Sequence, residues 1–109
     1  MDKVEEIQAK DFDREINSEI PVIVEFWIKS CGNCKKFKPV YEKLSRIFGE
    51  TKFTRINMFK SIENLRLAEG LGVEQTPTTM IFKKSKKIGQ IIGYKNLEDA
   101  KKEIRKIIK

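Results

Sequence analysis

The chain has 109 residues, 23 of them basic, 16 acidic and none histidine, for a net charge of +7. That length suits one domain with one buried core, and a hydrophobic content of 39% with seven phenylalanines excludes disorder, although 36% of the residues are charged. The two cysteines leave a zinc or iron–sulfur site short of ligands within one subunit, and they are too few and too close for the framework of a small secreted scaffold.

The start, MDKVEEIQAK, carries acidic residues and no apolar leader core, and the longest apolar run, VIVEFWI, is broken by a glutamate and too short to span a bilayer. A cytoplasmic protein with no membrane partner is the expectation. No repeat, low-complexity segment or linker interrupts the chain, so residues 1–109 are expected to form a single domain.

In chain order, an edge strand is predicted near Val4–Gln8, then a short helix over KDFDREI with Asp11 placed to cap it. Val22–Ile28 is a near-continuous β-branched and aromatic run, the pattern of a central strand covered on both faces. Phe37, Tyr41, Leu44 and Phe48 then recur at helical spacing, with Gly49 as a glycine stop and Pro39 inside, where it is expected to bend the helix. KFTRIN reads as a strand, and SIENLRLAEG as a helix with Ser61 as N-cap and Gly70 at its end. TTMIFK and IGQIIG form an antiparallel hairpin across a lysine-rich turn. The last helix is capped by Asn96 with Asp99 at N3 and carries Leu97, Ala100, Ile104, Ile107 and Ile108 on one side. This order predicts an α/β fold, a three-layer sandwich with a mixed central β-sheet and helices on both faces.

The basic excess lies in FKKSKKIG and the tail KKEIRKIIK, which raises nucleic acid as a partner. Lys83, Lys84, Lys86 and Lys87 read instead as a charged hairpin turn, and the aromatics fall mainly in apolar helix and strand patterns rather than on a stacking surface. No nucleic-acid partner is expected; a solvated basic face can still steer acidic proteins.

Cys31 and Cys34 form a C-x-x-C where a buried strand gives way to a helix. The first cysteine of such a pair lies near unpaired backbone N–H groups and the positive end of the helix dipole, which favour thiolate over thiol. Cys31 is the expected nucleophile. Cys34, one turn later, is placed to resolve a mixed disulfide at Cys31. A bridge across so short a loop constrains the unfolded chain little, which argues against a purely structural staple. Glu25, a carboxylate inside an apolar run, is expected to be buried with a raised pKa and to relay protons to and from a thiol; an outward-facing strand charge is the plain alternative.

The segments VEFWIKSCGNCKKFKPVYEKL and GVEQTPTTMIF, followed by the glycine of IIGYKN, resemble the thioredoxin family in order and spacing over most of the chain. The resemblance implies the thioredoxin fold and a protein-disulfide oxidoreductase that reduces or exchanges partner disulfides through Cys31 and Cys34, with no cofactor and no metal. It implies a cis bond before Pro77, backbone contacts to the target at Thr76, Trp27 packed beside the site, and Gly93 leaving room for a partner. At the position of Glu25 the family carries an aspartate acting towards the second cysteine, often with a lysine nearby; Arg55 matches that lysine and is expected to hold Glu25 ionised. The implied partners are disulfide-containing proteins and an unidentified reductase as electron donor, and a monomer is expected.

Gly32 and Lys35 follow the family pattern, whereas Ser30 and Asn33 replace its usual tryptophan and proline. Asn33 restores an N–H and adds an amide, which should stabilise the reduced form; Ser30 shrinks the apolar contact patch and changes target choice. A redox-inactive docking module on the same fold is the alternative, against which the intact cysteine pair argues.

Overall fold

The computed structural model describes residues 3–109. Its elements run β1 (Val4–Glu6), α1 (Ala9–Ile16), β2 (Val22–Trp27), α2 (Gly32–Ile47), β3 (Lys52–Asn57), α3 (Ile62–Gly70), β4 (Thr78–Lys83), β5 (Lys86–Ile92) and α4 (Leu97–Ile108). The five strands form one sheet in the order β1-β3-β2-β4-β5, with β1, β3 and β2 parallel and β4 and β5 antiparallel to their neighbours.

Alternation along the strands divides the core between the two faces. Val22, Val24 and Phe26 of β2 pack with Phe12 and Ile16 of α1 and Ala68 of α3. Ile23 points the other way, with Phe37, Tyr41 and Leu44 of α2 and Ala100 and Ile104 of α4. Period two therefore aims Glu25 at the α2 face, the same side as Ile23, where it is wholly buried.

Two local expectations change. Asp11 is not the N-cap of α1; Gln8 is, and Asp11 at N3 reaches back to accept the Gln8 N–H at 3.0 Å, because its carboxylate can serve an unpaired donor from inside the first turn. Gly49 is not a left-handed stop: α2 ends with Phe48 as C-cap, donating to the Leu44 carbonyl at 2.9 Å, and the Thr51 N–H closes the turn on the Phe48 carbonyl. α3 ends at Gly70 as expected, and the left-handed residue follows at Gly72, at φ 83°.

The lysine-rich turn reduces to Lys84 and Ser85, both at positive φ, as a two-residue hairpin between right-twisted strands requires. Their N–H groups donate to the Ser18 and Ile16 carbonyls, tying the hairpin to the end of α1. Asn96 caps α4 by accepting the Asp99 N–H at 2.9 Å, and Ser61 caps α3 through the Asn64 N–H.

Candidate active site

β2 ends at Trp27, Lys29 and Ser30 make a turn, and Cys31, itself extended, is the N-cap of α2. Its sulfur takes the place of a capping oxygen and accepts the Cys34 N–H at 3.1 Å. The Thr76 hydroxyl donates to the same sulfur at 3.3 Å, and the Thr76 carbonyl lies 3.5 Å from it. Cys31 and Cys34 are joined as a disulfide with Cα atoms 5.2 Å apart. Cys31 is half-buried while Cys34 is only 2% exposed, so a partner can reach the first sulfur and not the second. When the bridge opens, the two donors aimed at Cys31 stabilise its thiolate.

The loop before β4 supplies the other wall. The Thr76–Pro77 peptide is cis, Pro77 is buried, and its carbonyl accepts the Gly93 N–H at 2.8 Å. Gly93 has φ 82°, and a Cβ there would approach the Gln75 amide nitrogen to 3.1 Å, so only glycine fits without strain. Ser30, Gly32, Asn33 and Lys35 are all exposed around the cysteines, Lys35 donating its backbone N–H to the Cys31 carbonyl at 3.1 Å.

Beneath the cysteines a polar row crosses the sheet: Glu6 of β1 stands beside Arg55 of β3, Arg55 beside Glu25 of β2, and Glu25 beside Thr79 of β4. Arg55 Nε donates to Glu25 Oε1 at 2.9 Å, and its other arm lies 3.7 Å from Glu6. The guanidinium also stacks on Trp27, 4.1 Å from the ring centroid, while the indole N–H donates to Glu6 at 3.1 Å. Glu25 Oε2 and Thr79 Oγ1 are buried without a partner among the described residues. Burial pushes the Glu25 carboxyl up to about 7 against the opposing pull of Arg55. Desolvation thus outweighs the ion pair, and Arg55 does not hold Glu25 fully ionised at neutrality. Glu6 is also raised, chiefly by partial burial.

No hydrogen bond joins Glu25 to Cys34. The two are linked indirectly, since Arg55 lines the same small depression as Cys34, with Trp27 and Lys38. Sequence reasoning missed Glu6 and Thr79, whose places in the row depend on strand order, and Phe59, which is 64% exposed at the end of a depression beginning at Ser30. A phenylalanine outside every helical and strand pattern was the available signal for the last.

The thioredoxin family profile matches residues 3–106. The chain belongs to the thioredoxin family. It is 35% identical over 94 residues to the chloroplastic thioredoxin M4 of Arabidopsis thaliana, covering 85% of this chain and 47% of that protein. Thioredoxin 1 of a Nostoc species is 30% identical over 95 residues, covering 85% and 86% of the two chains. Among solved structures, the short form of spinach chloroplast thioredoxin F superposes with a TM-score of 0.85 at 28% identity, over 96% of this chain and 93% of that one. With its cysteine pair in place, this thioredoxin is a protein-disulfide oxidoreductase acting on disulfides of other proteins. Some of its relatives are chloroplastic, and no helix among the described residues is long and apolar enough to cross a membrane.

Proposed function

We propose that Cys31 attacks and Cys34 resolves, with Glu25 carrying the proton between them and the target. The single observation behind this division is the half-buried Cys31 at the helix N-cap with Cys34 bonded and buried behind it. The Cys31 thiolate attacks one sulfur of the target disulfide; the Cys31–target bond forms, the target bond breaks, and the expelled target thiolate takes up a proton. Cys34 then gives its proton to Glu25 and attacks the Cys31 sulfur, forming the Cys31–Cys34 bond and releasing the second target sulfur, which Glu25 reprotonates. Two electrons pass from this pair to the target, whose two protons come one from Cys34 through Glu25 and one from solvent; an external reductase restores the two electrons together with the one proton that returns Cys34 to its thiol.

Thr76, Pro77, Gly93 and Trp27 are read as the surface that holds the target. Supporting this, Thr76 touches the Cys31 sulfur, Gly93 is tied to Pro77, and Trp27 lines the depression that Cys34 shares. Gly32, Ser30, Asn33 and Lys35 tune the poise, and the donors that Asn33 adds favour a potential less reducing than about −270 mV. Equilibration against glutathione with thiol quantitation measures it; a value at or below that figure removes the role given to Asn33.

A Cys34→Ser variant is expected to hold target proteins as mixed disulfides at Cys31, and Cys31→Ser to abolish insulin reduction. Recovering no adduct from a lysate in which the wild type is active would overturn the assigned roles.

The chain is further read as a monomer of one domain over residues 1–109, working in the cytoplasm and fed by a reductase of its host. One sheet covered by both clusters supports the single domain, and a C-x-x-C that works as a reductant suits a compartment whose reductase keeps thiols reduced. One cooperative unfolding transition, a monomer by light scattering and recovery in the cytoplasmic fraction are the expected results.

A further inference from the structure

Phe59 follows β3 on the loop to α3 and is the most exposed of the large apolar side chains described, at 64%. A loose loop does not explain this. Asn57 Oδ1 accepts the Phe59 N–H at 3.1 Å, the Asn57 carbonyl accepts the Lys60 N–H at 3.2 Å, and Met58 is buried with its N–H on the Trp27 carbonyl. The turn is built, and it holds a phenyl ring in water next to the nucleophile's loop.

Ser30, directly before Cys31, lines the same depression as the ring. Together with Lys29, Lys35 and Asn57 they enclose an open cleft of about 500 Å³. The depression that reaches Cys34 shares Lys29 and Lys35 with this cleft. Apart from Cys34, every ionisable side chain lining either is cationic. Lys38 is paired with Glu42 at 2.6 Å, and Arg55 is held between Glu25 and Glu6. Lys29 and Lys35 are exposed and have no ion pair among the described residues.

We propose that the Ser30–Phe59 cleft is a specificity site for acidic protein segments: a large apolar side chain beside the target cysteine enters between Ser30 and Phe59, and neighbouring carboxylates pair with Lys29 and Lys35. The proposal rests on the exchange described above, which fixes the target chain on Cys31, one residue from the cleft. It goes beyond that exchange by naming which disulfides react fastest. A nucleic acid matches the charge but offers Cys31 no sulfur, so the occupant is a protein.

The test uses four synthetic peptides, each closed by one disulfide and differing only beside the reactive cysteine: Asp-Phe, Asp-Ala, Lys-Phe and Lys-Ala. Reduction by the pre-reduced full chain is followed by thiol release. The Asp-Phe peptide is expected to react about tenfold faster than Lys-Ala, with the charge preference lost at about 0.5 M salt. Phe59→Ala should remove the preference for Phe over Ala, a loss of about fivefold, without altering the Asp–Lys ratio. Lys29→Glu with Lys35→Glu should invert that ratio, and Ser30→Trp should slow the Phe peptides alone. Rates within about twofold for all four peptides, or variants that slow all four equally, overturn the cleft's role while leaving the exchange intact. If no peptide is reduced and Cys31→Ser behaves as wild type, the exchange itself fails and the cleft proposal falls with it.

Discussion

Glu25 and Thr79 stand directly opposite each other on β2 and β4, and each keeps one buried oxygen, Oε2 and Oγ1, without a partner among the described residues. Buried polar atoms of this kind are uncommon because each forgoes water without compensation. Here they fall side by side at the inner end of the row Glu6–Arg55–Glu25, under the helix that carries the resolving cysteine.

Replacing Thr79 with valine keeps the shape and removes the unpartnered hydroxyl. Thr79→Val is expected to raise stability by about 1 kcal/mol, read as a higher urea midpoint at unchanged m-value. A loss of that size would mean the hydroxyl is bonded in solution.

Glu25 makes stability pH-dependent with a definite sign. Its folded pKa, about 7, lies above the 4.5 of a free glutamate, so the folded state binds the extra proton between them. Its contribution is complete below pH 4.5 and is lost as pH rises through 7, a change of about 3 kcal/mol. The difference in unfolding free energy between wild type and Glu25→Gln, taken at pH 5 and at pH 8, isolates this from other groups. Equal differences at both values would show that Glu25 titrates normally.

Arg55 is 2.9 Å from Glu25 and also braces Trp27 and Glu6. Arg55→Met leaves a buried carboxylate alone, at a cost of about 3 kcal/mol at pH 8. The loss is expected to shrink at pH 5, where Glu25 accepts a proton. The Trp27 fluorescence should change at either pH, because the cation stacked on the ring is gone. A pH-independent loss would mean that Arg55 acts by packing alone.

Gly89 allows α4 to lie against β5: a Cβ there would come within 2.7 Å of the Ile107 side chain. Gly89→Ala is expected to destabilise by about 1–3 kcal/mol, and Ile107→Ala on that background to recover part of it. A double-mutant cycle with no coupling would place the cost elsewhere.

The sequence by itself determined the order of elements, the three-layer arrangement, and the placing of Cys31 and Cys34 at a strand-to-helix junction. Those depend on period, caps and turn chemistry, which act over a few residues; the run Val22 to Trp27 and the spacing of Phe37, Tyr41 and Leu44 suffice. Matching motifs carried Pro77 and Gly93 to the cysteines across more than forty residues of chain, where local pattern is silent.

Only the tertiary structure decided what surrounds Glu25. Glu6, Arg55 and Thr79 meet it because strand order and register bring four segments into one row, and no local pattern specifies that pairing. The balance between burial and the Arg55 charge likewise depends on how completely α2 covers the row, so Arg55 could be identified in the sequence and its effect could not. Phe59 shows the reverse: composition marks it for the core, and a turn fixed by Asn57 leaves it at the surface beside Ser30.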